Sequence, residues 1–277
     1  MNSPTVSIVI PVFNRSHLVR KAIDSALAQT HPCEVILVDH GSTDDIEAVA
    51  KSYGNKIRYI RKDIDNGPIA AWRDGVEHAT GEYLHFTYDD DWIEAEFIQE
   101  CLKHFSPEVA FVYTRAYLWN DGTSEPHLMH PRGSHKVSFI AKYLLTIPLT
   151  ISPGCALFRR NDVLDNLLHS VPGADGTYGK NTGVGEDALL FLLTTLNYKY
   201  YVHIPKALAG FLSHDGSITI DAISSGKRSL LEASYYRAKE FYLSKNNSVP
   251  RPRGIEKFIF KIQWALLKII SRVFQKL

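Results

Sequence analysis

The chain has 277 residues, 45% of them hydrophobic and 22% charged, which is typical of a globular protein that can bury a substantial core. A net charge of +1 excludes a bulk electrostatic attraction to nucleic acid, so we expect no nucleic-acid partner. Three widely spaced cysteines without a CxxC pair indicate a reducing, cytoplasmic setting. We expect neither a signal peptide nor a transmembrane helix, because the first apolar stretch is interrupted at Pro11 and no run of about 18 apolar residues occurs in the sequence.

The first half of the chain alternates predicted strands with predicted helices. Runs rich in β-branched and aromatic residues predict the strands, and apolar residues at helical spacing predict the helices between them. The predicted strands are VSIVIPV (6–12), EVILVDH (34–40), IRYIR (57–61), EYLHFTY (82–88) and VAFVYT (109–114). The predicted helices lie over about 18–27, 46–53, 68–79 and 93–105. This alternation predicts a mainly parallel α/β sheet flanked by helices, in which ligands bind at the carboxyl ends of the strands.

Beyond residue 115 the pattern changes. LWNDGTSEPH predicts a hairpin or loop, and the Gly-rich stretch 171–185 predicts a mobile loop. Two further strands are predicted, at 155–160 and 200–205, and 208–219 is predicted to lead into a Ser/Thr-rich loop. Further helices are predicted over about 136–145, 185–197, 222–245 and 254–277.

Three adjacent carboxylates, Asp89, Asp90 and Asp91, follow directly after a predicted strand. Like charges repel, so such a triplet is either a solvated acidic turn or a site for a positive partner. Mg²⁺ and Mn²⁺ prefer oxygen ligands, and a carboxylate triplet supplies them. VDHGSTD also follows a predicted strand, so both segments can meet at one edge of the sheet although about fifty residues separate them.

Four motifs in this order, VSIVIPVFNR, VDHGSTD, GEYLHFTYDDD and GEDALLF, resemble the family 2 glycosyltransferases with a GT-A (Rossmann-like) fold. The resemblance covers roughly residues 5 to 215. It implies an inverting transfer of a sugar from a nucleotide-diphosphate sugar to a hydroxyl of a glycan or lipid-linked glycan. It also implies a place in bacterial surface-polysaccharide synthesis such as that of O-antigen, and a need for Mn²⁺ or Mg²⁺.

The same resemblance divides the chain. It implies a GT-A domain over residues 1–220, with a nucleotide-sugar-binding half (1–115) and an acceptor-binding half (116–220). A helix and linker (221–253) and a C-terminal amphipathic helix (254–277) follow as an extension.

The nucleotide is expected to lie at the first two strands. The family's nucleotide-binding loop matches Pro11, Val12, Phe13, Asn14 and Arg15. Asp39 matches the carboxylate that accepts a hydrogen bond from a uracil-type base, which favours UDP. The alternative for Asp39 is an acid that favours a helix N-terminus through the helix dipole. His40 stands where the family usually has a second acid, and its role stays open.

The diphosphate is expected near the start of the third helix. Asn66 and Gly67 match the family segment that lies beside it. Arg73 stands where many relatives have Asn, and two interpretations remain. It reaches a phosphate, whose geometry suits arginine, or it is an exposed helix residue.

The metal is expected at the triplet. By the family match, Asp89 contacts the ribose or the metal and Asp90 binds the metal. Asp91 either binds the metal too or caps the following helix. Tyr88 falls where many relatives carry a further acid, so the assignment is open by one position. His214 matches a histidine near metal and diphosphate, and imidazole suits Mn²⁺ better than Mg²⁺.

The catalytic base is expected at Asp187, which would take the proton from the acceptor hydroxyl. Glu186 would then orient or bind the acceptor. The alternative is that both are helix N-terminal acids stabilised by the dipole, a common pattern before an apolar helix.

The last predicted helix, 254–277, is amphipathic, with an apolar sector opposite Lys257, Lys261, Lys268 and Arg272. It either packs on the domain or on a second subunit, as in a homodimer, or lies on anionic lipid at the inner face of the cytoplasmic membrane.

Two other functions compete with sugar transfer. A sugar-phosphate nucleotidyltransferase would usually show a Gly-rich, basic phosphate loop near the first strand, and PVFNRSHL lacks glycine. A non-catalytic nucleotide-sugar-binding protein is disfavoured by the intact triplet and by Asp187.

Overall fold

A computed structural model describes residues 5–120, 123–127, 133–146, 151–173, 185–214, 216–217 and 228–246. Within these residues ten strands form one sheet. The strands are β1 (Val6–Val12), β2 (Glu34–His40), β3 (Arg58–Lys62), β4 (Tyr83–Phe86), β5 (Trp92–Ile93), β6 (Val109–Asn120), β7 (Thr123–His127), β8 (Gly133–Lys136), β9 (Ala156–Arg159) and β10 (Tyr200–Leu212). The helices are α1 (Val19–Leu27), α2 (Ile46–Tyr53), α3 (Pro68–His78), α4 (Phe97–Leu102), α5 (Val137–Thr146), α6 (Arg160–Asn166), α7 (Glu186–Thr194) and α8 (Arg228–Lys245).

The sheet has the order β3-β2-β1-β4-β9-β6-β10-β5, with β7 paired to β6 and β8 paired to β10. Strands β3, β2, β1 and β4 are parallel, and so are β6 and β10, whereas β9 and β5 run antiparallel to their neighbours. The carboxyl ends of β1, β2 and β4 therefore open onto one edge. The predicted α/β sheet flanked by helices is confirmed.

Helices cover both faces of the sheet because alternate residues of each strand point to opposite sides. On β1, Val9 belongs to the core beneath α3, whereas Ile8 and Ile10 belong to the core beneath α1 and α2. Gly75 of α3 lets that helix approach closely, since a Cβ there would lie 2.2 Å from a methyl group of Val9. All three β1 side chains are fully buried.

The structure differs from the sequence predictions mainly where strands are extended by pairing. The predicted helix from residue 93 to 105 is shorter, since Trp92 and Ile93 pair with β10 before α4 begins. Strand β10 continues to Leu212, beyond the predicted end at residue 205, because β6 and β5 flank it there. The apolar spacing of a single segment does not reveal such partners.

Helix α8 packs against α7, and Ala238 and Tyr242 of α8 are buried in the same core as Leu189. Gly185, with φ of +95°, precedes α7, and a Cβ there would lie 2.9 Å from the backbone oxygen of Ser234. The helices therefore touch through backbone at the start of α7. Residues 174–184 of the predicted loop at 171–185 and the predicted amphipathic helix at 254–277 lie outside the described residues. None of the helices within the described part of the chain is long and apolar enough to cross a membrane.

Candidate active site

The loops after β1 and β2 are joined by short hydrogen bonds. Asn14 adopts a left-handed backbone with φ of 53°, which asparagine tolerates better than most residues. Its backbone N–H donates to Ser42 Oγ at 3.0 Å, and its side-chain oxygen accepts from the Thr43 N–H at 2.7 Å. In the residues before Asn14, the side chain of Phe13 is 43% exposed and Pro11 is half-buried. The expected nucleotide loop is therefore a fixed turn with an exposed aromatic ring.

Asp39, at the end of β2, is fully buried and has partners on both carboxylate oxygens. One oxygen accepts from the Ser42 N–H at 2.9 Å. The other accepts from the Tyr59 hydroxyl at 2.7 Å and from the Arg61 guanidinium at 2.5 Å. Asp39 and Arg61 are register partners on β2 and β3. The carboxylate that is expected to bind the base is thus already bound by β3.

His40 is buried next to Asp39, and its Nε2 lies 2.8 Å from a carboxylate oxygen of Asp74 on α3. Lys62 reaches the other oxygen of Asp74 at 3.4 Å. An acid on the neighbouring helix α3 therefore pairs with the histidine that stands next to Asp39.

The acidic triplet is bridged by Arg15. Its Nη1 donates to Asp89 Oδ1 at 2.8 Å and to Asp90 Oδ2 at 2.9 Å. Its Nη2 donates to the Gly216 carbonyl at 2.6 Å. One guanidinium therefore joins the β1 loop, the triplet after β4 and the segment after β10. Three regions that are far apart in the sequence meet here.

His214 and Asp91 complete the surroundings of the triplet. Nε2 of His214 lies 3.0 Å from Asp90 Oδ2, the oxygen that also faces Arg15. Asp91 points elsewhere, since its Oδ1 accepts from the Leu212 N–H of β10 at 3.0 Å and the residue is buried. The structure thus brings Asp89, Asp90 and His214 together and turns Asp91 toward β10.

Burial and mutual repulsion change the acidity of the triplet. Burial raises the pKa of Asp89 to about 6, against the opposing effect of the Arg15 charge. Burial, with the charge of Asp90 adding to it, raises the pKa of Asp91 well above its usual value. These carboxyls therefore favour a site where a cation offsets their charge.

The side chains around the triplet include donor atoms of the kinds that bind a divalent cation. Within the described residues, no group of three or more His, Cys, Asp or Glu side chains is gathered tightly enough to form a metal site. One oxygen each of Asp89 and Asp90 nevertheless accepts from the guanidinium of Arg15, and the imidazole Nε2 of His214 lies 3.0 Å from the Asp90 oxygen. This mixed O and N set suits Mn²⁺.

The second acidic feature is the acid pair, Glu186 and Asp187, at the start of α7. One carboxylate oxygen of Asp187 accepts from the backbone N–H groups of Ala188 at 2.7 Å and Gly185 at 3.1 Å. Burial raises the pKa of Asp187 to about 6 and that of Glu186 to about 7. Glu186 is only 1% exposed, and its Oε2 has no hydrogen-bond partner among the described residues. Both acids therefore titrate near neutral pH, where a general base is most useful.

Tyr88 links the acid pair to the triplet. Its pKa is raised well above the usual value, first by burial and then by the charges of Asp187 and Asp91. Its ring stacks on Trp72 with centroids 5.5 Å apart, and Ser152 Oγ donates to its hydroxyl at 3.4 Å. The side chain of Tyr88 therefore lies near both acidic features, which are parts of one candidate site.

Helix α8 closes the site on the side of the acid pair. Burial raises the pKa of Tyr235, and the charges of Asp187 and Glu186 raise it further. Arg237, on the same helix, acts in the opposite sense on Glu186, whose pKa it lowers. α8 therefore belongs to the surroundings of the acid pair although it lies outside the stretch that carries the sequence motifs.

Two of the expected diphosphate residues lie at the start of α3, and the third is bound to the end of α6. Gly67, with φ of 86°, begins α3, and its N–H donates to Asp65 at 2.7 Å. Asn66 beside it is exposed. Arg73 donates to the Leu167 carbonyl at the end of α6, and its other nitrogen lies 3.6 Å from Glu77.

The sequence did not predict that four further residues lie at the candidate site, namely Tyr59, Arg61, Ser152 and Tyr235. A partial signal existed for the first two, since residues two apart on a strand share a face. The other two carry no local signal. Their place follows only from how β9 and α8 pack.

Comparisons with known proteins show the family of this chain. The sequence profile of glycosyl transferase family 2 matches residues 7–168, more than half of the chain. The chain belongs to this family. An uncharacterized glycosyltransferase of Rickettsia prowazekii is 46% identical over 90 residues, 32% of this chain and 28% of that protein. The chondroitin synthase of Pasteurella multocida is 39% identical over 116 residues, 40% of this chain and 12% of that protein. The family 2 chain thus covers less than a third of the length of either relative.

Solved structures share the fold. TarS of S. aureus in complex with UDP-GlcNAc superposes with a TM-score of 0.62 at 19% identity, covering 79% of this chain and 61% of that one. Glucosyl-3-phosphoglycerate synthase of Mycobacterium tuberculosis, in complex with Mn²⁺ and UDP, has a TM-score of 0.54 at 17% identity, covering 85% and 80%. A mannosyltransferase of Pyrobaculum calidifontis, in complex with GDP-Man and Mn²⁺, has a TM-score of 0.54 at 15% identity, covering 96% and 81%. The family 2 glycosyltransferase therefore has the GT-A fold.

Proposed function

We propose that this glycosyltransferase moves a sugar, with inversion, from a nucleotide-diphosphate sugar to a hydroxyl of a glycan or lipid-linked glycan. The observation that carries the proposal is the position of Tyr88, whose hydroxyl feels the charges of both Asp91 and Asp187. This observation supports an arrangement in which a cation-binding triplet and a carboxyl that titrates near neutral pH lie on two sides of one site. In-line displacement at an anomeric carbon needs such an arrangement, with the leaving group on one side and a base on the other.

The donor occupies the side of the triplet in this proposal. Asp89, Asp90 and His214 are the residues that would hold a divalent cation, which offsets negative charge on the leaving diphosphate. Neighbours of the same fold that were solved with Mn²⁺ and a nucleotide or nucleotide-sugar support this role. The base of the nucleotide lies near Asp39, with Tyr59 and Arg61 around it.

The acceptor occupies the side of the acid pair. Asp187 takes the proton of the acceptor hydroxyl as that oxygen attacks the anomeric carbon. The bond from the anomeric carbon to the diphosphate oxygen breaks, and its electron pair leaves with the diphosphate. The backbone N–H groups of Gly185 and Ala188 hold one oxygen of Asp187 in place. Glu186 stays behind Asp187 and orients the acceptor side of the site.

The chain's surroundings in the cell form part of the proposal. It acts on the cytoplasmic side, in the synthesis of a bacterial surface polysaccharide. Contact with the membrane or with a second subunit is assigned to residues 254–277. Helix α8 follows the GT-A domain proposed for 1–220, and it contributes to the same site because Tyr235 lies beside the acid pair.

A thermal-shift screen tests the proposal. UDP, GDP and their sugars are added with and without Mn²⁺, since a ligand that binds the native state raises the melting temperature by mass action. The proposal expects a metal-dependent shift with one nucleotide family and transfer of labelled sugar from the corresponding donor. Release of pyrophosphate from a nucleoside triphosphate and a sugar phosphate would contradict it in favour of nucleotidyl transfer.

A further inference from the structure

The guanidinium of Arg15 occupies the centre of the cation site. It lies 2.8 Å from Asp89 Oδ1 and 2.9 Å from Asp90 Oδ2, and the side chain of Arg15 is 20% exposed. The oxygens that it contacts are the ones that would face a metal. A sequence match of Arg15 to a nucleotide loop gives no reason for this contact, since the carboxylates lie 74 and 75 residues away.

A metal and this guanidinium compete for the negative charge of the same two carboxylates, since Arg15 Nη1 donates to one oxygen of each. Two cations that share two carboxylate oxygens also lie within a few ångströms of each other and repel strongly in a half-buried site. His214 does not conflict in this way, because a neutral imidazole can turn from Asp90 to a metal.

The diphosphate of a bound nucleotide would be a second partner for the guanidinium of Arg15. Arg15 follows Asn14, whose backbone is fixed by Ser42 and Thr43, so the start of the side chain stays in place while its end can move. Arginine binds phosphate in a bidentate geometry that matches its planar fork. A diphosphate on the triplet brings such oxygens within the reach of Arg15.

We propose that Arg15 is an internal counter-cation, which holds Asp89 and Asp90 together before loading and passes to the diphosphate when a divalent cation takes the carboxylates. It is a positioning residue that couples the two ligands. Metal binds weakly while Arg15 stays on the triplet and tightly once a nucleotide diphosphate draws Arg15 away. By linkage the metal improves nucleotide binding by the same factor. The inference rests on the proposed function for the identity of both ligands.

Calorimetric titration of Mn²⁺ into the full chain, without nucleotide, tests the inference. The Arg15→Gln variant is expected to bind Mn²⁺ at least about tenfold more tightly than the wild type, because a competing charge a few ångströms away is removed. The Arg15→Lys variant keeps the charge and is expected to stay within about threefold of the wild type. Arg20→Gln, an exposed arginine on α1 that donates to Ser52, is the matched control and should not change the affinity.

A second titration measures the coupling. In the wild type, saturating UDP is expected to tighten Mn²⁺ binding, and in Arg15→Gln this gain should shrink. Equal or weaker Mn²⁺ binding in Arg15→Gln overturns the inference, as does an unchanged gain from UDP. If that variant fails to fold, Arg15→Lys decides, since Mn²⁺ affinity weakened more than tenfold would assign arginine a direct role in the metal site. A failure of the proposed function would give a different result, because then no nucleotide diphosphate would bind to the wild type or to any variant.

Discussion

The acidic triplet and the acid pair are two groups of carboxyls in one site, and they are held in opposite ways. Arg15 donates to two members of the triplet, so their charge is compensated by another side chain. Asp187 accepts instead from the backbone N–H groups of Gly185 and Ala188, which are fixed in the chain. A carboxylate with a mobile counter-charge can exchange that charge for a metal. A carboxyl whose pKa is raised by burial can instead exchange a proton near neutral pH. Under the proposed function, the environment of each carboxyl, and not its residue type, sets its role.

The largest effect is expected from Asp187→Asn, which removes the base and leaves the triplet intact. Turnover should fall by about 10²–10⁴-fold, the usual contribution of general base catalysis. Transfer of labelled sugar at saturating donor measures it. Glu186→Gln, the neighbouring acid, is the matched control and should lose much less. Equal losses in the two variants would remove the distinction between base and neighbour.

A smaller effect is expected from Asp90→Asn, which removes the oxygen that faces both Arg15 and His214. Mn²⁺ affinity in the presence of UDP should fall about 10–100-fold, the range known for changes around metal ligands. Calorimetry measures it. Asp91→Asn should weaken Mn²⁺ binding less, because the Asp91 carboxylate accepts from the Leu212 N–H of β10. A greater loss in Asp91→Asn would assign the metal to Asp91 instead.

The pH dependence of turnover sharpens the comparison further. Burial raises the pKa of Asp187 to about 6, and a base must be unprotonated to accept a proton. Turnover should therefore rise about tenfold per pH unit below pH 6 and level off above it. Asp89 also titrates with a pKa of about 6, so the profile is measured at saturating Mn²⁺ and donor. A flat profile between pH 5 and 7 would contradict the base assignment.

The smallest effect is expected from Gly210→Ala on β10. A Cβ there would lie 2.2 Å from the ring of Trp92, which directly follows the triplet. Overpacking should cost about 1–3 kcal/mol of the free energy of unfolding. Urea denaturation measures it. The double variant Gly210→Ala/Trp92→Leu should recover part of the loss, and strict additivity would mean that the two positions do not touch.

The sequence reveals locally determined elements better than long-range pairing. β1, β2 and α2 have the predicted bounds because their apolar patterns are complete within each segment. The full length of β10 escaped prediction because it depends on pairing with β6 and β5. A strand end that depends on pairing with other strands has no signature in its own residues.

The same limit applies to the site. Sheet order predicts that the ends of β1, β2 and β4 meet, and the structure places Arg15 on Asp89 and Asp90 at that edge. The sheet order does not predict that Arg61, the register partner of Asp39 on β3, donates to the Asp39 carboxylate. Nor does it predict that Tyr235 of α8 lies beside the acid pair, since helix packing far along the chain decides it.

The most direct test of the account measures donor binding and turnover together in Asp187→Asn and Asp90→Asn. Calorimetry gives the affinity for the donor in the presence of Mn²⁺, and transfer of labelled sugar gives the turnover. Asp187→Asn is expected to bind donor like the wild type and to turn over about 10²–10⁴-fold more slowly, whereas Asp90→Asn is expected to lose metal-dependent donor binding. Undiminished turnover in Asp187→Asn, or donor binding to Asp90→Asn that responds to Mn²⁺ as the wild type does, would contradict the division between the acid pair and the triplet.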